Sequence, residues 1–149
     1  MTEKLLKDEI VRAVSQVFEA QLKQPVELLY FVKKDNCETC DSTQQLLEEV
    51  VTISDKLHLS TYDLDDNAED ARKYNVNMAP ELVIAGREGD KLMDYGIRMA
   101  GIPSGYEFSS LIQDIIMVSG RDSGLRPDVR RALKNLEKPV HLQVFVTPT

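Results

Sequence analysis

The sequence lacks three features that would each indicate a particular class of protein: dense basic runs, long apolar segments and a secretory leader. Its 18 Lys and Arg against 25 Asp and Glu give a net charge of −7, which disfavours binding to a phosphate backbone. No segment approaches the roughly 18 consecutive apolar residues of a membrane span, and the charged N-terminus has no apolar h-region. We therefore predict a globular, cytoplasmic protein that binds neither nucleic acid nor membranes.

Metal ligands and cysteines are equally sparse. The 149 residues include two cysteines, Cys37 and Cys40, and two histidines, His58 and His141. A structural zinc site needs about four ligands, and neither histidine has the spacing of a zinc knuckle. We therefore predict no metal and no cofactor. In the cytoplasm a close cysteine pair indicates catalysis or metal binding before a structural disulfide, and two thiols without a redox role are the alternative.

Hydrophobic periodicity predicts alternating helices and strands over the first 118 residues. The apolar run Val26–Val32, rich in β-formers, is typical of a buried strand. The predicted elements are helix 3–24, strand 26–32, helix 37–57, strand 59–64, helix 68–74, a strand from Pro80 to Gly86, strand 91–97 and helix 108–118. This α-β-α-β-α-β-β-α order predicts an α/β protein with one central mixed sheet and helices on both faces.

The last part of the chain looks like a second start of the same pattern. Residues 136–149 match residues 22–35 at six of 14 positions, with an offset of 114 residues. A repeat explains this match, and a chance likeness between two apolar strands is the alternative. The predicted organisation is a first unit over 1–119, followed by the start of a truncated second unit over 120–149.

The cysteine pair lies where a buried strand leads into a helix. Free backbone N–H groups and the positive end of the helix dipole favour a thiolate at that place. We therefore predict Cys37 as the attacking nucleophile and Cys40, one turn further on, as the resolving thiol. The acidic neighbours Glu38 and Asp41 oppose the thiolate, so we expect a comparatively reducing couple.

Pro80 precedes an apolar β-run and has two interpretations. The structural one is a proline at the edge or start of a strand. The functional one is a cis proline facing the cysteines, because only X-Pro bonds adopt the cis form at low cost. A cis bond would aim the backbone of Ala79 at an incoming peptide, which could then pair like an added strand. We therefore predict Ala79 and Pro80 as substrate-binding residues.

Taken together, these features resemble the N-terminal unit of the protein disulfide oxidoreductases, or glutaredoxin-like proteins, in which two thioredoxin folds lie in tandem. The segments that carry the resemblance are Phe31–Cys37, the Cys-x-x-Cys motif, Arg72–Val76, Ala79–Pro80, Gly101–Phe108 and Val144–Thr149. The resemblance implies a thioredoxin-like fold and thiol–disulfide oxidoreductase activity through Cys37, Cys40 and Pro80. It also implies protein thiols and disulfides as partners, with a thioredoxin-reductase-type electron donor.

This sequence departs from that family at its C-terminal end. The family continues into a second Cys-x-x-Cys motif, whereas this sequence stops at Thr149. A deliberate truncation is one explanation, and a UGA selenocysteine codon read as a stop is the other. We predict a helix over Pro127–Leu136 and a strand over Val140–Val146. An unpaired apolar strand is a liability, so we expect it to pack on the edge of the first unit's sheet or to form a homodimer.

Two other functions remain open at this point. The first is a redox-inactive thioredoxin-fold module for binding or dimerisation, with the catalytic motif in a missing, selenocysteine-containing second unit. The second is the tandem thioredoxin-fold domain that feeds electrons from a flavoprotein to a peroxidase. The first fold of that family lacks the cysteine pair, so Cys37 and Cys40 argue against it.

Overall fold

The computed structural model describes residues 3–147. Its elements, in chain order, are α1 (Asp8–Gln21), β1 (Val26–Val32), α2 (Cys40–Val51), β2 (Leu57–Asp63), α3 (Ala68–Lys73), β3 (Glu81–Glu88), β4 (Lys91–Ala100), α4 (Tyr106–Gly120) and α5 (Pro127–Lys134). The order through α4 is the predicted α-β-α-β-α-β-β-α order. No helix within residues 3–147 is long and apolar enough to cross a bilayer.

The four strands form one mixed sheet in the order β2-β1-β3-β4. β1 pairs with β2 in parallel and with β3 antiparallel, and β3 pairs antiparallel with β4. In this register Phe31 near the end of β1 lies opposite Tyr62 on one side and Glu81 on the other. Because β3 runs against β1, the start of β3 lies at the sheet end where β1 leads into the cysteine motif.

Both faces of the sheet are covered, as the sequence predicts. Side chains alternate along β1, so Leu28 and Tyr30 enter one hydrophobic cluster while Leu29 and Phe31 enter another. The larger cluster also receives side chains from α1, α2 and α4, and the smaller one includes Ala71 of α3. Burial on both sides explains why β1 is apolar at every position except Glu27 rather than alternating.

The elements occur in the predicted order, but several begin or end at residues other than those predicted. The first helix begins at Asp8 rather than residue 3 and ends at Gln21, four residues before Pro25. The helix predicted from Cys37 begins at Cys40, because residues 37–39 form the turn that precedes it. It ends at Val51, and β2 already begins at Leu57.

The two elements predicted after residue 119 have different outcomes. The helix predicted over Pro127–Leu136 is present as α5, but the strand predicted over Val140–Val146 is wrong: that segment is neither helix nor strand, and it is exposed. It also does not pack on the sheet edge as expected. An isolated strand has no partner for its backbone groups. Pairing with a second chain and the division at residues 119 and 120 stay predictions, and residues 148 and 149 lie outside the described part.

Candidate active site

Cys37 and Cys40 form a disulfide at the N-terminus of α2. Their Cα atoms are 5.4 Å apart. Cys40 is the first residue of the helix and is buried, whereas Cys37 lies in the preceding turn and is partly exposed. The two sulfur atoms therefore differ in access: a large partner can reach Cys37 far more easily than Cys40.

The loop that carries Cys37 is held next to the loop that follows β2. Parallel pairing brings the ends of β1 and β2 together, and the carbonyl of Val32 accepts a hydrogen bond from the N–H of Leu64 at 2.9 Å. Lys34 and Asp66 form an exposed ion pair between the two loops. Asn36, one residue before the motif, has a φ of 56°, and Asn is one of the few residues that tolerate this left-handed conformation.

Acidic residues lie in the first turn of α2 and in the loop that follows β2. Asp41 lies in the first turn of α2, where the helix dipole favours an acid. In the adjoining loop, the N–H groups of Asp66 and Asp65 donate to Asp63 and lower the pKa of its carboxyl. The expectation that Glu38 and Asp41 make the couple more reducing stays a prediction.

Two buried hydroxyl groups donate hydrogen bonds to backbone carbonyl oxygens at the start of α2. The Tyr30 hydroxyl donates to the carbonyl oxygen of Cys40 at 2.7 Å, and the Thr43 hydroxyl donates to the carbonyl oxygen of Thr39 at 2.7 Å. Burial raises the pKa of Tyr30 to about 12, with a smaller contribution from Asp41 and an opposing one from Thr43. Sequence analysis missed Tyr30, whose one signal is a hydroxyl within a largely apolar core strand.

Ala79 and Pro80 lie at the same end of the sheet as the cysteines. The Ala79–Pro80 peptide bond is cis, and the buried Pro80 directly precedes β3. The Pro80 carbonyl oxygen accepts a hydrogen bond from the N–H of Gly101 at 2.9 Å, which ties this segment to the end of β4. The predicted isomer is thus present, and Met78 just before it is 51% exposed.

Glu81 is a second residue that sequence analysis missed. It follows Pro80, is 8% exposed and lies opposite Phe31 in the sheet. Its Oε2 atom is buried and has no hydrogen-bond partner among the described residues. Burial raises the pKa of the Glu81 carboxyl, and the positive charge of Arg98 opposes that rise. Nothing in the sequence marks Glu81 as buried, because one acidic residue beside an apolar run does not alter the helix or strand periodicity.

The two histidines are not brought to the cysteines. His58 lies in β2 opposite Glu27, far along the strand from the motif, and His141 lies in the exposed C-terminal segment. Within residues 3–147 no group of three or more His, Cys, Asp or Glu side chains is placed to hold a metal ion.

Sequence comparison relates the chain to the alkyl hydroperoxide reductase component AhpF of two bacteria. No protein-family model matches it. It is 30% identical over 125 residues to AhpF of Pseudomonas aeruginosa, an alignment that covers 84% of this chain and 21% of the relative. It is 31% identical over 134 residues to AhpF of Staphylococcus aureus, covering 87% and 23%. The chain thus spans about a fifth of the length of these curated relatives.

Structural comparison relates it to two proteins of known structure. A protein disulfide oxidoreductase from Aeropyrum pernix matches with a TM-score of 0.84 and 26% identity, over 99% of this chain and 62% of the other. The N-terminal domain of alkyl hydroperoxide reductase AhpF from Enterococcus faecalis matches with a TM-score of 0.77 and 26% identity, over 89% and 62%.

These likenesses confirm the predicted fold and the predicted resemblance. The disulfide-linked pair and the oxidoreductase relatives also bear out thiol–disulfide exchange as the class of chemistry. The chain therefore belongs to the thioredoxin-like fold and is similar, over most of its length, to a protein disulfide oxidoreductase and to the N-terminal domain of AhpF.

Proposed function

We propose that this chain is a thiol–disulfide oxidoreductase unit that acts on protein disulfides, with Cys37 as nucleophile and Cys40 as resolving thiol. One observation carries the proposal: the disulfide stands at the N-terminus of α2 with Cys37 accessible and Cys40 buried. A helix N-terminus offers unpaired N–H groups and a positive dipole end, which stabilise a thiolate at Cys37 once the pair is reduced.

The reaction proceeds in two exchange steps. In the reducing direction the Cys37 thiolate attacks one sulfur of the substrate disulfide, forms a mixed disulfide and releases the first substrate thiolate, which takes a proton. Cys40 then loses its proton and attacks Cys37 Sγ, releasing the second substrate thiolate, which takes up that proton. The substrate has gained two electrons and two protons, and the Cys37–Cys40 disulfide has re-formed.

Ala79 and Pro80 supply the proposed substrate-binding edge. They lie at the sheet end where the cysteine loop begins, and Ala79 is outside the strand pairing of β3. The Ala79 backbone is therefore available to pair with an extended peptide on the side of Cys37. The partners we propose are protein thiols and disulfides, with a dithiol electron donor of the thioredoxin-reductase type that restores the reduced pair in the cytoplasm.

The test is the redox equilibrium of the cysteine pair. The chain is equilibrated in graded glutathione buffers, and its thiols are alkylated and counted by mass. We expect a reversible two-electron transition in the range of roughly −180 to −300 mV. Two thiols that stay free throughout, or a disulfide that never reduces, would overturn the proposal. The position of the transition also decides the favoured direction against the potential of the cytoplasm.

Two variants assign the two roles. Cys37→Ser should abolish the reduction of insulin disulfides, because it removes the accessible thiol. Cys40→Ser should retain the attack but trap the mixed disulfide, which appears as a covalent adduct on non-reducing gels. An adduct that forms equally well with Cys37→Ser would reverse the assignment.

A second candidate function is electron delivery in hydroperoxide reduction. The 30% and 31% identity with AhpF of the two bacteria favours it, although the cysteine pair led us to set that class aside on sequence grounds. The reduced chain is tested with a thiol peroxidase and an alkyl hydroperoxide. Peroxide-dependent oxidation of the Cys37–Cys40 pair through the peroxidase would support this candidate over a general protein disulfide reductase.

The exposed C-terminal segment favours the binding-module alternative. Five apolar side chains there are more than half exposed: Val140, Leu142, Val144, Phe145 and Val146. In that alternative Cys37→Ser still binds its partner or dimerises. Neither the parent chain nor the variant then reduces insulin. Sedimentation of the parent and the variant, together with the insulin assay, separates the two functions.

A further inference from the structure

The two hydroxyls beneath the cysteine motif act on two consecutive peptide groups. Tyr30 donates to the carbonyl of Cys40, and Thr43 donates to the carbonyl of Thr39. The peptide group that contains the Thr39 carbonyl also contains the N–H of Cys40, and the group with the Cys40 carbonyl contains the N–H of Asp41. Both N–H groups belong to the first turn of α2, where helix geometry leaves N–H groups without an intrahelical acceptor.

Hydrogen bonding at one end of a peptide group strengthens the dipole at its other end. A carbonyl that accepts a bond is more polarised, and the N–H of the same group becomes a better donor. The Tyr30 side chain has no measurable exposure, and Thr43 is 1% exposed, so both hydroxyl groups are shielded from water. In such a low-dielectric environment the effect on a charge at the helix N-terminus is larger than at the surface.

We propose that Tyr30, assisted by Thr43, is a positioning residue that stabilises the reduced form of the Cys37–Cys40 pair by fixing and polarising the first turn of α2. The proposal rests on the proposed function. The Tyr30 hydroxyl does not touch a sulfur atom in this account; it acts through the backbone of Cys40. Because burial holds the pKa of Tyr30 near 12, the phenol stays neutral throughout the cycle and serves as a donor rather than as a proton carrier.

The direction of the effect follows from which redox state carries charge. The reduced pair contains a thiolate at Cys37, and the disulfide is neutral. Weaker N–H donors and a less ordered first turn destabilise the charged thiolate more than the neutral disulfide. Removal of the Tyr30 hydroxyl should therefore raise the pKa of the Cys37 thiol and shift the redox equilibrium towards the disulfide.

The experiment compares Tyr30→Phe with Ser119→Ala in the full chain. Tyr30→Phe keeps the buried ring and removes only the hydroxyl. Ser119→Ala removes another fully buried hydroxyl, which bonds to residues 23 and 24 just before β1, away from the motif. For each protein we measure the equilibrium constant with glutathione, the thiolate absorbance of Cys37 against pH, and the free energy of unfolding.

We expect Tyr30→Phe to shift the glutathione equilibrium constant about two- to tenfold towards the disulfide, the range that one net hydrogen bond can supply. The thiolate titration should move to higher pH. Ser119→Ala should lower stability and leave both redox measurements at the parental values. If Tyr30→Phe does not fold, as judged by circular dichroism, Thr43→Val provides the same comparison at the neighbouring carbonyl with a smaller shift.

Three outcomes would overturn the inference. One is a folded Tyr30→Phe with parental equilibrium and titration. The second is a Ser119→Ala that shifts the equilibrium as much as Tyr30→Phe does, which would mean that general destabilisation causes the effect. The third is a shift towards the dithiol. A parent chain without any redox transition would instead overturn the proposed function itself, and the inference with it.

Discussion

The guanidinium of Arg121 lies against the backbone of Gly86 and leaves no room for a side chain there. A Cβ atom on Gly86 would come within 2.7 Å of Arg121 Cζ. The guanidinium is held in place because it donates to the carbonyl oxygens of Val118, Pro25 and Arg87 at 2.6, 3.0 and 3.0 Å. The end of α4 is thereby tied to the start of β1 and the end of β3, at the opposite end of the sheet from the cysteines.

Gly86→Ala should lower the free energy of unfolding by about 1–3 kcal/mol, the usual cost of forcing an extra carbon into a packed site. Arg121 can make room only by giving up bonds to these carbonyls. Denaturant unfolding measures the change. Gly120→Ala is the matched control, since a Cβ there meets no described atom within 4 Å. Equal stability of the two variants would contradict this account of Arg121.

Ser119→Ala should be destabilising by about 1–3 kcal/mol because one hydroxyl serves three backbone groups. Ser119 Oγ accepts from the N–H groups of Lys23 and Gln24 at 2.8 and 3.0 Å and donates to the Gln24 carbonyl at 2.7 Å. Thermal and urea unfolding of the variant provide the measurement. Ser109→Ala, which removes an exposed hydroxyl bonded to Tyr106, should stay close to the parent. A similar loss in both would refute the role assigned to Ser119.

Glu81→Gln should stabilise the protein, and the gain should grow as the pH rises. Burial raises the folded-state pKa of Glu81 above its usual 4.5, against the opposing charge of Arg98. A raised carboxyl pKa favours the folded state below the unfolded pKa, and this contribution is lost as pH rises through the folded pKa. Urea titrations of both proteins between about pH 4 and 8 measure it. A difference that does not depend on pH would show that Glu81 does not titrate in this range.

Arg87→Met should destabilise the fold by about 1–3 kcal/mol because it leaves a buried carboxylate with a single partner. Glu27 is 4% exposed and binds Arg87 Nη1 at 2.9 Å and Ser60 Oγ at 2.6 Å. Denaturant unfolding at low and high salt measures the effect. Arg126→Met removes an exposed ion pair with Asp128 and should change stability little. A loss of stability as small as that of Arg126→Met would mean that solvent already screens the ion pair between Glu27 and Arg87.

The order of elements could be read from the chain because it depends on local patterns. The continuous apolar run of β1 indicated burial on both faces, and the two hydrophobic clusters on either side of β1 account for it. The Cys-x-x-Cys spacing likewise indicated a pair at a helix start, where the structure has the disulfide. Such patterns suffice to predict the elements because the spacing of apolar residues in a strand or helix reflects which side of it is buried.

Other features are set by residues that lie far apart in the sequence. No periodicity could show that the Tyr30 hydroxyl reaches the Cys40 carbonyl, or that Glu81 is enclosed with one oxygen unpaired. The strand expected over Val140–Val146 failed for the same reason, since a β-run becomes a strand only when a neighbour supplies its hydrogen bonds. The sequence by itself determined the order of the elements through α4, their buried faces and the cysteine pair. The tertiary structure decided where the buried polar groups lie and what they contact, because hydrogen bonds and desolvation depend on neighbours that only the folded chain brings together.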